Sequence, residues 1–209
     1  MTETLTLSSL PLFPLGTVLF PGGVLPLRVF EVRYLDMIGK CYKTGAPFGV
    51  VALTQGAEVR QPAAPAEAFH AIGTLSTIET LEQPQPGLML IRCRGLQRFH
   101  IRERHQLKHG LWVADVERLE PDRPVAIPDD LQGAAQALHR VILSLQARQG
   151  DPLPIEGPFL LDDCGWVANR WCELLPMPLA LKQQLMELDN PLIRLELVSD
   201  VLARTGIAP

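Results

Sequence analysis

The sequence predicts an α+β chain: a small, mostly antiparallel barrel or sandwich up to about residue 119, followed by a helical bundle. Three observations predict this. Between Leu10 and Leu119, short apolar or alternating runs recur, divided by Pro and Gly turns at roughly 8–12-residue spacing, as in a meander of strands. After Glu120 the apolar period lengthens from two residues to that of a helix. The charge balance shifts at the same place. Residues 1–119 hold 12 Lys+Arg against 10 Asp+Glu, whereas residues 120–209 hold 7 against 13, so two subdomains, 1–119 and 120–209, are expected.

The first stretch with structure is Leu10–Phe30, LPLFPLGTVLFPGGVLPLRVF. Pro14, Gly16, Pro21, Gly22 and Gly23 fill its centre. Proline lacks a backbone donor and glycine favours turns, so no helix crosses it, and strand–loop–strand is predicted. The loop carries Leu15, Val18, Leu19 and Phe20, too apolar for an idle surface. Either it plugs the barrel or it meets a partner. Glu31–Thr44 is predicted helical, with Val32, Leu35, Ile38 and Tyr42 inward and Gly45 and Pro47 as its stop. Phe48–Leu53 reads as a buried strand and Gln55–Ala68 as a surface loop. Further strands are expected over Phe69–Leu81, Leu88–Cys93, Gln97–Gln106 and Leu111–Leu119, with a bend at Gly95.

Pro121, Pro124 and Pro128 mark the linker. Asp129 or Asp130 is expected to cap a helix running to about Gln149 on the stripe Leu131, Ala135, Leu138, Ile142 and Leu145. Gly150, Pro152, Pro154, Gly157 and Pro158 form a rigid connection. A second helix fits Asp163–Leu175, with Val167, Trp171 and Leu174 inward. A third starts at Pro178 and carries Leu181, Leu185 and Leu188. Asn190 caps a fourth, with Pro191 at its first position, Ile193 or Leu192, Leu195, Val198 and Leu202 inward and Gly206 at its end.

Bulk properties exclude several classes. With 47% apolar and 20% charged residues the chain is globular rather than disordered. A net charge of −4 argues against a dedicated nucleic-acid binder. No apolar run is long enough to span a membrane. The start, MTETLTLSSL, lacks the basic region of a secretory leader. The four scattered cysteines, Cys41, Cys93, Cys164 and Cys172, read as reduced thiols, so a cytoplasmic location is expected.

The run LPLFPLGTVLFPGGVLPLRVFEVRYLDMI resembles the start of the substrate-binding N-terminal domain of Lon proteases. GLMLIRCRGLQRFHI, WVADVERL and LLPMPLALKQQLMELDNPLIRLELVSDVL match the same family in order, covering about residues 8–204. In the last of these, Lys182-Gln183, Leu185, Leu188 and Arg194-Leu195 follow the family's helical signature. The resemblance implies a PUA-like antiparallel β-pseudobarrel followed by a C-terminal helical bundle, and extends more distantly to the corresponding domain of cereblon. It further implies a protein-binding role, with unfolded or client polypeptides as partners and a protease or chaperone as a further one. A phosphate loop of the form G-x-x-x-x-G-K-[ST] is absent from the sequence. No Ser–Lys peptidase dyad is expected in the short stretch after the helices. A stand-alone, non-enzymatic binding domain without cofactor or metal is therefore expected.

Candidate sites follow from residue type. His100, His105 and His109 lie close together, but on strand and turn and without the glutamate of a zinc helix motif, so exposed hairpin histidines are expected. Cys164 before Gly165-Trp166 faintly echoes a thiol-protease signature, and a helix N-terminus there would lower its pKa; a structural role is the stronger reading. Asp162-Asp163 reads as helix capping rather than as a paired-carboxylate site. Arg92, Arg94, Arg98, Arg102, Arg104 and Lys108 form a basic stripe. It reads either as a cationic surface for acidic peptide or RNA, or as a solvated face paired with Glu79, Glu82 or Glu117. The expected polypeptide site comprises Phe20, Leu25 and Phe30, with Arg92, Arg94 and Arg98 adding charge selection. The alternative function is a small-molecule or RNA binder on the same barrel.

Overall fold

The computed structural model describes residues 6–59, 66–147 and 155–207. The chain divides into two compact units, Met1–Pro121 and Asp122–Pro209.

The first unit contains β1 (Thr6–Leu15), β2 (Val24–Val29), α1 (Val32–Thr44), β3 (Phe48–Gln55), β4 (Ala68–Phe69), β5 (Ile72–Gln85), β6 (Leu88–Gln106) and β7 (Trp112–Arg118). The ladder runs β1-β7-β6-β5-β3, and β3 then pairs with β1, which closes a five-membered ring. Closure leaves those strands without open edges. The β1–β3 pairing, Leu12 opposite Gly49 to Leu15 opposite Ala52, is parallel; the other pairings among the described strands are antiparallel. β2 lies outside the ring, beside the first half of β6. The α+β pseudobarrel is therefore the observed fold.

The strand expected to break at Gly95 is instead one strand of 19 residues. Its irregularity is a bulge. Thr74 pairs with Arg98 but Ser76 pairs with Gly95, so β6 uses one more residue than β5 there. Inside the ring Phe99 is fully buried. Gly49 makes room for it: a Cβ at Gly49 would lie 2.7 Å from Phe99 Cζ and 2.8 Å from Leu12 Cδ2.

A second apolar cluster joins β1, β3 and β6 to α1 through Phe13, Phe48, Ile91, Tyr34, Ile38 and Cys41. Tyr34 stacks on Phe13 with ring centroids 4.1 Å apart. The buried face of α1 is Tyr34, Met37, Ile38 and Cys41, with the i, i+3, i+4, i+7 spacing of a single helical face. This corrects the expected face. Val32 and Tyr42 are exposed, and Ile38 alone of the four expected residues is fully inside. Gly45 ends the helix in the left-handed conformation, φ 67°. Arg33 is also buried, held by Glu67 at 2.8 Å, Glu31 at 3.2 Å and the Gly110 carbonyl at 3.0 Å.

The second unit begins with a 3-10 turn, Asp129–Leu131, and continues through α2 (Gln132–Gln146), α3 (Cys164–Leu174), α4 (Leu179–Glu187) and α5 (Pro191–Thr205). Asp129 and Asp130 lie within the turn and give α2 no side-chain cap, contrary to expectation. The expected end of α2 near Gln149 and the connection at 150–154 lie outside the described residues. Asp163 caps α3, accepting Trp166 N–H at 2.7 Å and Val125 N–H at 3.0 Å. Asn190 caps α5 through Leu192 N–H at 3.0 Å, with Pro191 at the first position. Of the residues expected inward, Ala135, Leu138, Ile142, Val167, Trp171, Leu185, Leu195, Val198 and Leu202 are buried, whereas Leu131, Leu145, Leu174, Leu181, Leu188 and Leu192 are only partly so and Ile193 is exposed.

Glu173 ion-pairs with the buried Arg170 at 3.0 Å. Burial nonetheless pushes its carboxyl up to about 7, against the opposing pull of Arg170 and Lys182. The folded state thus holds a proton that the unfolded chain releases near pH 4.5. The contribution of Glu173 to stability is therefore expected to fall as pH rises from about 4.5 to about 7, and to level off above. Urea titrations across that range check this; in Glu173→Gln the decline should vanish.

Candidate functional site

The apolar loop between β1 and β2 seals the barrel. Val18, Leu19 and Phe20 are buried, Phe20 completely. Backbone bonds tie the loop to the bulge: Gly22 N–H to the Gly95 carbonyl and Gly95 N–H to the Gly23 carbonyl, both 2.8 Å. Thr74 Oγ1 donates to the Leu19 carbonyl at 2.6 Å. Glycine is needed at 95, since a Cβ there would collide with the Phe20 carbonyl oxygen. Phe20 is thus corrected from a surface contact to a plug residue. Leu25 is half-buried and packs against the same apolar cluster as α1.

The basic stripe is likewise not one cationic surface. Arg92 and Arg94 both pair with Glu79, and Arg102 pairs with Glu117. Arg104 lies over the Phe69 ring, 4.3 Å from its centroid. Arg98 is only 3% exposed. Three of the six cations thus have carboxylate partners, two of them sharing Glu79, so the stripe is only partly paired in the way the alternative expects.

Phe30 has a different setting. It is 51% exposed and borders a cleft of about 350 Å³. Apolar lining comes from Phe13 and Leu15 of β1, Leu27 of β2, Tyr34 of α1 and Val59 of the segment after β3. Its charged lining is Arg28, Glu31 and Glu58. The cleft runs along β2, which among the described strands pairs with β6 alone. An open strand edge beside an apolar groove can accept main-chain hydrogen bonds and side chains together. Of the residues expected to form the polypeptide site, Phe30 lines this cleft; Leu27 and Val59, which line it too, were not among them.

Cys164 is buried, and its Sγ lies 3.5 Å from the Ala126 carbonyl, to which it donates. Burial and the neighbouring Asp163 raise its pKa, which reverses the lowering expected from a helix N-terminus. Cys93 and Cys172, also buried, are pushed up to about 12. Among the described residues no three His, Cys, Asp or Glu side chains are grouped to hold a metal. No helix among them is long and apolar enough to cross a membrane.

The model of the ATP-dependent protease La (LON) substrate-binding domain matches residues 9–204. The chain belongs to this family. A Lon protease from Anaeromyxobacter dehalogenans is 30% identical over 201 residues, covering 93% of this chain and 23% of the relative. Lon protease 2 from Herpetosiphon aurantiacus is 27% identical, covering 95% and 24%. The chain therefore spans about a quarter of the length of these Lon relatives. The crystal structure of a Lon N-terminal domain protein from Xanthomonas campestris superposes with a TM-score of 0.71 at 32% identity, covering 93% of this chain and 98% of that one. The N-terminal domain of Lon protease from the Mycobacterium avium complex shares the fold, with a TM-score of 0.55 at 18% identity and coverage of 92% and 96%. Within the Lon substrate-binding family, the described features of this chain are a plugged barrel, a cleft beside β2 and a helical unit.

Proposed function

We propose that this protein is a non-enzymatic polypeptide-binding module that captures exposed apolar segments of client chains in the cleft along β2. It serves protein quality control in the cytoplasm, as an adaptor to a protease or chaperone. The observation that carries the reading is the half-exposed Phe30 at the mouth of an apolar cleft, in a chain of the substrate-binding family. Pairing of Arg92, Arg94 and Arg102 with Glu79 and Glu117 counts against RNA as the ligand, because it reduces the charge the stripe can offer to phosphates.

The test is binding of a permanently unfolded polypeptide, reduced and carboxymethylated α-lactalbumin. Truncating a half-exposed aromatic at an interface typically costs about 1–2 kcal/mol. Phe30→Ala is therefore expected to weaken binding roughly 5- to 30-fold without shifting the unfolding midpoint. A photoreactive phenylalanine analogue at position 30 is expected to crosslink to the bound chain. Binding unchanged in Phe30→Ala, together with no crosslink, would place the site elsewhere.

A further inference from the structure

The register of β2 specifies how a client would sit in the cleft. Pro26 lies mid-strand, opposite Arg92 of β6. A proline has no N–H to give a ladder, so within a sheet its N–H side must face away from the neighbouring strand. The Gly95 N–H bond to the Gly23 carbonyl sets the same parity: the odd-numbered residues of this stretch turn their backbone groups towards β6. Val24, Pro26 and Arg28 therefore turn theirs to the open side. Among the described residues no strand pairs with that edge, which carries three carbonyls and the N–H groups of Val24 and Arg28, with a missing donor between them. The side chains alternate in step, with Leu25, Leu27 and Val29 half-buried or buried and Pro26 and Arg28 exposed.

The charges of the cleft are also asymmetric. Glu31 is paired with Arg33, and Glu58 accepts the Gly16 N–H, a neutral donor. Among the described residues Glu58 makes no ion pair, whereas Glu31 is answered by Arg33, so Glu58 is the carboxylate of the lining left to a basic partner.

We propose that the client enters as an added β-strand on the open edge of β2, with apolar side chains at alternate positions between Phe30 and Val59 and a basic residue beside Glu58. This rests on the polypeptide-binding reading above. It commits the site to an extended, alternating apolar segment with a positive end. An amphipathic helix would use the apolar pocket but not the N–H of Arg28, and a folded partner would use neither. The gap at Pro26 excludes a continuous ladder, which keeps the edge from recruiting other open strands indiscriminately.

The experiment measures fluorescence anisotropy of a nine-residue peptide with leucines alternating with threonines and two lysines at one end. Two further peptides carry backbone N-methyl groups, one on each alternating set of amides. One methylated set is expected to lose at least tenfold in affinity while the other keeps it, because only one edge of the peptide faces β2. Arg28→Pro removes an edge-facing donor without touching the β6 ladder, and is expected to lose at least tenfold with an unchanged unfolding midpoint. If that variant does not fold, the methylated pair decides alone. Exchanging the lysines for glutamates should weaken binding several-fold. Equal affinity of both methylated peptides with the unmodified one, with Phe30→Ala still impaired, overturns strand addition and leaves the cleft standing. No binding of any peptide or of the unfolded polypeptide by the wild-type protein overturns both.

Discussion

Replacing Arg194 with methionine is expected to destabilise the helical unit by about 3–5 kcal/mol, the cost typical of removing one partner from a buried ion pair. Arg194 is 1% exposed. Its Nε donates to the Leu185 carbonyl at 2.9 Å and its Nη1 to Asn169 Oδ1 at 3.0 Å. Its Nη2 reaches Asp122 Oδ1 at 3.2 Å, and further bonds go to Asp122 Oδ2 and the Leu188 carbonyl. The planar fork thus joins the first residue of the unit, α3, the end of α4 and α5. Methionine matches much of the volume but supplies none of the five hydrogen bonds these acceptors receive from the guanidinium. Lysine keeps the charge but offers a single point of donation, so Arg194→Lys should recover less than half of the loss. Urea unfolding followed by far-ultraviolet circular dichroism measures both. A methionine variant within 1 kcal/mol of wild type would refute the role assigned to this fork.

Gly95→Ala is expected to cost about 3 kcal/mol or more and to release the plug of the barrel. The new Cβ would collide with the Phe20 carbonyl oxygen and lie 3.0 Å from Leu19 Cγ. Neither neighbour can give way cheaply. Backbone is held to backbone at 2.8 Å on both sides, and Thr74 grips the Leu19 carbonyl. Overpacking against backbone belongs to the expensive end of single substitutions. Hydrogen exchange should locate the damage, with the Gly22 amide losing its protection first. Unchanged exchange at that amide would mean that the plug is anchored elsewhere.

Much of this fold was legible because its signals are local. Gly45, Asn190-Pro191, Asp163 and Gly206 act within one helical turn, and each sits where its chemistry predicts. The barrel strands were legible from alternation. What escaped depends on partners distant in sequence. The inner face of α1 is set by Tyr34 stacking on Phe13, a contact that periodicity alone cannot choose over Val32 and Tyr42. Gly95 looks like a bend, yet it continues the strand because a loop some 70 residues earlier approaches it. Arg33, Arg170 and Arg194 carry strong prior expectations of exposure, and the carboxylates that answer their charge, Glu67, Glu173 and Asp122, lie on segments whose proximity the sequence pattern does not reveal. In the candidate site, Phe30 could be read from its position after β2. Phe20 could not be separated from it, because plug and mouth are equally apolar in sequence.

The pairing of β1 on both sides has a temporal consequence. Its neighbours are β3, some 37 residues on, and β7, where Thr6 meets Glu117 across the ring. During synthesis the first strand can join β3 early, but its other flank stays bare until β7 has left the ribosome. Nearly the whole unit must emerge before the ring can shut, and contacts of such separation slow the final step. The nascent chain therefore carries an uncovered Leu10–Leu12 segment throughout that interval, and it is then itself the kind of extended apolar strand that its cleft is proposed to hold.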